Sequence, residues 1–461
     1  MSDTLLSITG IAPSGAGIAQ HQGFRVFVPD ALPGETALAE VEPPPKGVRS
    51  AVARHVRIQT RSPYRNESPC PALDGSPACG GCPLGRLTYE GQIPLKENLL
   101  IEALRREGVQ APSPDPLIAP LEEERQGFRN KAVFYPTKTP DGWHFGMYAQ
   151  GSHALVTAAA DCPQLAPWMP KAVRRLADAL NATELTAYDE TTLTGDVRAL
   201  LLRDGRSSTG TESLMTLVVR ELTPTVERSL DKAARMLAPL NLTGFCVNIQ
   251  PKPGNTVLGP QTKVLSGRGA VTAEIDGLGF SIRSETFLQV NTPQTERLYH
   301  QALKWAEIGP QDVFLDLYCG VGTMTLLGAK RARSAVGVEI VEASVERARQ
   351  NAHANKIENT EFFAGPVESV LPGLLQNGLN PTVAIVDPAF KGMDESVPSL
   401  LTSLSLKRLV YVSCSPASFA RDAVRLIRLG WTLQKIGTVD LFPGALHIET
   451  VALFVRSPKA G

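Results

Sequence analysis

Two residues near the C-terminus could do chemistry together: Cys414 in LVYVSCSPASFARD and Glu449 in HIETVALF. The β-rich run Leu409 to Ser413 ends at the thiol, and Ser415 and Pro416 then open an amphipathic stretch through Ala420 to Leu426. That pattern sets Cys414 beside a helix N-terminus, where unpaired N–H groups and the helix dipole favour the thiolate, the nucleophilic form of cysteine. A small buried core residue is the competing reading, and only chemistry elsewhere in the chain can displace it.

That chemistry lies upstream. The strand pattern VFLDLY ends at Asp316 and runs into CGVGTMTL, with Gly320 and Gly322 in the turn and Thr323 opening a helix. Two glycines let a ligand approach the backbone, but the third glycine of the dinucleotide fingerprint is missing. One strand later AVGVEI ends on Glu339, nineteen residues past Gly320, where an acidic side chain accepts hydrogen bonds from ribose hydroxyls. A nucleoside cofactor without a pyrophosphate fits, S-adenosylmethionine foremost. VAIVDPAFKG adds Asp387 at a strand end, and FLQVN adds Gln289. A thiolate and a carboxylate around a methyl donor suit pyrimidine C5, which is a poor nucleophile until a thiolate adds to C6. A base must then remove the C5 proton, so Cys414 adds and Glu449 deprotonates.

A second constellation is Cys70, Cys79, Cys82 and Cys162, in ESPCPALDGSPACGGCPLG and AADCPQL. Thiolates three residues apart in a glycine turn can share one metal, and a further pair completes four-sulfur ligation. Zinc and an iron–sulfur cluster both agree with the spacing.

The elements that must position these groups divide the 461 residues into three regions. Residues 1–62 alternate turn signals with short β-type runs and read as a small all-β barrel or sheet. Its end carries Lys46, Arg49, Arg54, Arg57, Arg61 and Arg65, a basic face of the kind that tracks a nucleic-acid backbone or, alternatively, a solvated edge strand. Residues 63–285 form a mixed α+β central domain that includes the four cysteines, with helices at Tyr89 to Arg106 and Val226 to Leu237. Residues 286–461 alternate strand and helix, which implies a doubly wound parallel sheet with an antiparallel strand at its edge. Seven unevenly spread cysteines, no membrane-length apolar run and no basic leader point to a cytoplasmic protein, and a net charge of zero argues against a general polyanion binder.

Over essentially its full length the chain resembles the RNA 5-methyluridine methyltransferases. GAGIAQHQGFRVFVPDALPGE is similar to that family's TRAM domain, an OB-like barrel; CGGCPLGRLTYEGQIPLKENLL is similar to the iron–sulfur loop of its ribosomal branch. FLQVN, FLDLYCGVGTMTL, YVSCSP and LFPGALHIETVALF follow in family order. The resemblance implies a Rossmann-like methyltransferase domain, S-adenosylmethionine held around Gln289, Tyr318, Gly320, Gly322 and Glu339, and Asp387 at the cofactor and uracil. It further implies nucleophile Cys414, base Glu449, and a [4Fe-4S] cluster on Cys70, Cys79, Cys82 and Cys162. The partner implied is RNA, 23S ribosomal RNA ahead of transfer RNA, with the chain a monomer; a catalytically weak RNA-binding factor is the alternative of another class. Three departures touch the pocket: Phe390 where the family has arginine in Asp-Pro-Pro-Arg-x-Gly, Ser415 where it has asparagine, and Pro366 where an acidic residue is usual. Phe390 is either a stacking face for an extruded base or a mark of relaxed activity.

Overall fold

The computed structural model describes residues 3–66 and 70–456. The chain divides into two compact units: one comprises the chain up to Leu99 with Met147–Cys162 and Phe442–His447, the other Leu100–Gly146, Pro163–Leu441 and the chain from Ile448.

The first unit begins with seven short strands: β1 (Thr4–Ser7), β2 (Gly10–Ile11), β3 (Gly17–His21), β4 (Phe24–Val28), β5 (Thr36–Glu40), β6 (Ser50–Val52) and β7 (Arg54–Thr60). Alternate residues turn inward, so Leu6, Ala19, Val26, Val28 and Ala37 share one core. The ladders leave two sheets, β1-β5-β7 and β2-β3-β4-β6, and no closed barrel forms among the described residues. The run Pro43 to Pro45 between β5 and β6 brings no N–H donors to extend either ladder.

The basic run does not make one cationic face. Arg65 turns inward: its Nε and Nη2 donate to the buried carboxylate of Glu35 at 2.8 and 2.6 Å, and Nη2 also donates to the Asp30 carbonyl at 2.8 Å. Burial pushes the Glu35 carboxyl up, but Arg65 and the N–H groups of Ser62 and Leu32 outweigh it and hold it below its ordinary range. Arg57 pairs with Asp3, and Arg54 approaches Glu42 at 3.8 Å.

Helix α1 (Tyr89–Arg106) follows, then β8 (Lys131–Thr139), β9 (Gly142–Tyr148), β10 (Leu155–Val156), α2 (Met169–Asn181), β11 (Val197–Ser207), β12 (Gly210–Val219), α3 (Pro224–Leu237), β13 (Gly244–Ile249) and β14 (Gln261–Gly267). In the second unit β9-β8-β11-β12-β13-β14 make a mixed sheet on which α2 and α3 pair. A hairpin, β15 (Val271–Ile275) with β16 (Leu278–Ile282), leads to the region that carries Cys414.

That region comprises α4 (Thr292–Ala306), β17 (Val313–Leu317), α5 (Thr323–Ala329), β18 (Ser334–Glu339), α6 (Glu342–Ala354), β19 (Thr360–Ala364), α7 (Val367–Gln376), β20 (Val383–Val386), α8 (Val397–Ser403), β21 (Arg408–Ser413), α9 (Pro416–Arg428), β22 (Trp431–Val439) and β23 (Glu449–Arg456). Its sheet runs β19-β18-β17-β20-β21-β23-β22, with the first five strands parallel. The antiparallel strand expected at the edge is instead interior: β23 inserts between β21 and β22. The reason is chemical: TVALF in β23 is buried on both faces, whereas β22 alternates apolar residues with exposed ones such as Thr432 and Gln434. Backbone bonds from Asp115 N–H to the Ile436 carbonyl and from Ile118 N–H to the Thr438 carbonyl, 2.8 and 2.9 Å, then cover the β22 edge.

Candidate active site

The insertion of β23 brings the two opening residues together. Ser413 pairs with Thr450, and continuing that antiparallel register by one residue sets Cys414 across from Glu449. Ser413 brackets the thiol: its hydroxyl donates to the Ser415 carbonyl and accepts from the Ser415 N–H, both at 3.1 Å. Ser415 then caps α9, accepting from the Ser418 N–H at 3.3 Å. Serine and asparagine are both strong N-cap residues, so this departure keeps the helix start.

Asp387 follows β20, the strand beside β21, and Asp316 lies in β17 on the other side of β20. Asp316 does not stand at the strand end; it is buried within β17 and accepts from Thr325 Oγ1 at 2.5 Å. Burial, opposed by the Thr325 bond, pushes its carboxyl up to about 7. Asp387 rises to about 8 through burial, then through the charges of Glu449 and Asp316. Tyr299 of α4 is buried against the same carboxyls, and its hydroxyl is pushed up by burial and by Asp387, Asp316 and Glu449. Sequence reading missed Tyr299 because an aromatic on a helix reads as ordinary core.

The surroundings of Cys414 work against the expected thiolate. Burial raises the Cys414 thiol to about 11, and the charges of Glu449 and Asp387 add to the rise. The N-terminus of α9 does not overcome two acidic groups and partial desolvation.

The glycine turn separates into two functions. Gly320 (φ +55°) has nothing within 4 Å of where a Cβ would stand, an open cradle, and its N–H donates to Glu339 Oε2 at 3.1 Å. Gly322 (φ +81°) is hemmed in by Ala348 and Phe362, both at 3.0 Å from a built Cβ, so its lack of a side chain serves packing beneath α5. Tyr318 also adopts a left-handed backbone (φ +68°), with its N–H on the Val338 carbonyl at 2.8 Å. Glu339 Oε1 accepts the Val341 N–H at 2.9 Å, and the exposed Ile340 and Val341 follow it. A carboxylate has capacity for further donors, so hydroxyls can still reach Glu339. Pro366 stands at the N-cap of α7 and offers no side-chain acceptor there.

FLQVN divides as well. Asn291 and Gln294 are fully buried braces: Asn291 Nδ2 donates to the Leu441 carbonyl at 3.0 Å, and Gln294 Nε2 to the Asp440 carbonyl at 2.9 Å. The carbonyl of Gln289 accepts from Asn130 Nδ2 at 2.8 Å, while Gln289 itself is only partly buried. Asn130, a brace across 159 residues, gives no local signal in the sequence.

All four cysteines of the second constellation are half-buried. Cys70 begins the turn Pro71–Leu73 and Cys162 ends the turn Thr157–Asp161. Cys70 and Cys79 pack on Ala72, Ala149, Val156 and Ala159, and the Cys162 N–H donates to the Ala159 carbonyl at 3.3 Å. Cys82 accepts the Gly85 N–H on its carbonyl at 2.9 Å. Among the described residues no group of three or more histidine, cysteine, aspartate or glutamate side chains is gathered as a metal site, so the metal expectation rests on the sequence pattern. No described helix is long and apolar enough to cross a membrane.

Comparison with known proteins bears on the family and the fold. The family model for tRNA (uracil-5-)-methyltransferase matches residues 271–457. An uncharacterized RNA methyltransferase of Listeria monocytogenes serotype 4b is 33% identical over 449 residues, covering 97% of this chain and 96% of its own length. One from Gloeobacter violaceus is 36% identical over 458 residues, covering 98% and 96%. The crystal structure of the Pyrococcus abyssi tRNA (uracil-54, C5)-methyltransferase in complex with S-adenosyl-L-homocysteine superimposes with a TM-score of 0.75 at 24% identity, covering 98% of this chain and 99% of that one. The whole fold is therefore shared.

Proposed function

Because this chain belongs to the RNA 5-methyluridine methyltransferase family, we propose that it methylates C5 of a uridine in 23S ribosomal RNA, as a cytoplasmic monomer. The register that sets Cys414 across from Glu449, with Asp387 following the next strand, carries this reading. S-adenosylmethionine supplies the electrophilic methyl group. The open cradle at Gly320 fits a ligand lying on the backbone, with Glu339 for the ribose hydroxyls; Tyr318 precedes the turn, and Gln289 is assigned to the cofactor from the sequence pattern.

Cys414 gives its proton to solvent and its Sγ adds to uracil C6, which moves the C5–C6 electron pair towards C5 and O4. C5 takes the methyl group, and the donor's carbon–sulfur bond breaks to leave S-adenosylhomocysteine. Glu449 then removes the C5 proton, the C5–C6 double bond re-forms, and the C6–Sγ bond breaks to release Cys414. Asp387, largely protonated at neutral pH, can donate a hydrogen bond to a uracil oxygen. In RNA bearing 5-fluorouridine the fluorine cannot leave, so an adduct on Cys414 should persist. Absence of that adduct in wild type, with Cys414→Ala behaving identically, defeats the reading.

The choice of 23S ribosomal RNA follows the cysteine loop; transfer RNA is the second reading, favoured by the substrate named for the Pyrococcus abyssi structure. Mapping 5-methyluridine in both RNAs from a deletion strain decides between them. We read residues 1–62 as a TRAM-like RNA grip, 63–285 as the central domain and 286–461 as the methyltransferase domain. Cys70, Cys79, Cys82 and Cys162 would hold a [4Fe-4S] cluster in a structural or RNA-binding role. Visible charge-transfer absorption lost in Cys79→Ser supports the cluster, and a colourless zinc-containing protein refutes it.

A further inference from the structure

Phe390 has no role in the chemistry above, yet its setting is unusual: 66% of this large apolar residue is exposed, on a turn held almost atom by atom. The Gly392 N–H closes the turn on the Ala389 carbonyl at 2.7 Å. Ser418 Oγ donates to the Phe390 carbonyl at 2.6 Å, and Arg421 Nη2 to the Lys391 carbonyl at 2.5 Å. The Met393 N–H donates to Asp422 Oδ2 at 2.8 Å, and the same oxygen accepts from the Tyr411 hydroxyl at 2.8 Å. Gly392 is required here, since its φ is +81° and a Cβ would collide with Asp422 Oδ2.

The side-chain partners, Ser418, Arg421, Asp422 and Tyr411, lie on β21 or α9, the elements that flank Cys414. Ser418 Oγ also lies 3.0 Å from Ser415 Oγ, so two hydrogen bonds connect the backbone of Phe390 to the residue after the thiol. Asp387 stands two residues before this turn, so one short stretch of chain carries both a carboxyl of the reacting site and an exposed phenyl ring. An exposed aromatic on a fixed backbone offers a flat apolar face at little cost in ordering, which is what a nucleobase stacks on. The reacting uracil has to reach Glu449, which is only 1% exposed, so the ring at the rim meets a different base.

We propose that Phe390 is the stacking face for the RNA base adjacent to the target uridine, and thereby a specificity-determining residue. This rests on the uracil-C5 reading of the site. It is tested with a randomised pool of RNA hairpins containing 5-fluorouridine, trapped on wild type, Phe390→Ala and Phe390→Trp, and then sequenced. A hairpin from the trapped set, made with uridine, gives KM and kcat; one with 2-aminopurine next to the target gives a stacking signal independent of turnover. Phe390→Ala should still form the adduct, raise the RNA KM about tenfold with a smaller change in kcat, lose 2-aminopurine quenching and relax the preference for the adjacent base; Phe390→Trp should restore all of these. If both variants trap the same sequences as wild type with the same KM and quenching, the stacking assignment is overturned and the methylation reading stands. If wild type itself forms no adduct, the methylation reading falls and this inference falls with it.

Discussion

A thiol raised to about 11 is a poor nucleophile at neutral pH, so the fraction of Cys414 in the reactive form depends on the charges around it. Glu449 is one of those charges, which makes it a brake on the thiol as well as the proposed base. Glu449→Gln should lower the Cys414 pKa and speed iodoacetamide alkylation at pH 8, with the thiolate fraction rising about tenfold for every pH unit by which the pKa falls, while abolishing release of methylated RNA. A slower alkylation in the variant would contradict the charge argument. The two glycines of the turn should separate in a similar way. Gly320→Ala has space for its methyl, so it should raise the KM for S-adenosylmethionine with a small loss of stability from its φ of +55°. Gly322→Ala collides with Ala348 and Phe362 and should lower the Tm by several degrees. Calorimetry and cofactor titration of both variants distinguish crowding in the cofactor cradle from crowding in the core.

At the scale of elements, much of the methyltransferase sheet was legible because each strand is a short apolar run followed by a turn and a helix. The helix expected at Tyr89 to Arg106 has those bounds, and the strand expected at Leu409 to Ser413 begins one residue earlier, at Arg408. The order of the last two strands was less accessible: a terminal hairpin suggests an edge, and only the apolar character of TVALFV on both faces argues for the interior. Long-range braces such as Asn130 on Gln289 left no local trace, since a single asparagine in a strand region reads as a turn residue. Asp316 was misplaced because periodicity locates a strand but does not say that one of its members is a buried acid. That acid has a testable cost. Its folded pKa of about 7 lies above the ordinary carboxylate value, so its contribution is fully present below about pH 4 and is lost as pH rises through 7. Asp316→Asn should therefore gain Tm relative to wild type as pH rises from about 4 to about 7, and keep that gain unchanged above it. A difference independent of pH would place the acid's ionisation elsewhere.

At the scale of the whole molecule, 46 basic and 46 acidic residues leave no net field to attract RNA, so its grip must come from local cations that the fold leaves uncommitted. The basic run before residue 66 shows how few those are. Arg65 is spent on Glu35 and Arg57 on Asp3, whereas Lys46 and Arg49 stand exposed in the connection between β5 and β6. Each phosphate contact contributes about one unit to the slope of log K against log salt. Lys46→Ala with Arg49→Ala should thus weaken RNA binding and flatten that slope by up to about two, leaving the Tm unchanged. Arg65→Gln should do the opposite, because removing one partner strands the buried carboxylate of Glu35. Glu35 is held below its ordinary value, so the stability it adds is present above about pH 4.5 and disappears as pH falls through its lowered pKa. Arg65→Gln should accordingly lose several degrees of Tm at pH 7 and progressively less as pH falls below the ordinary carboxylate range, with the salt slope of RNA binding intact at temperatures where it is folded. A flattened slope in Arg65→Gln, or a lower Tm in the Lys46 and Arg49 double variant, would reverse which arginines hold the protein and which hold the RNA.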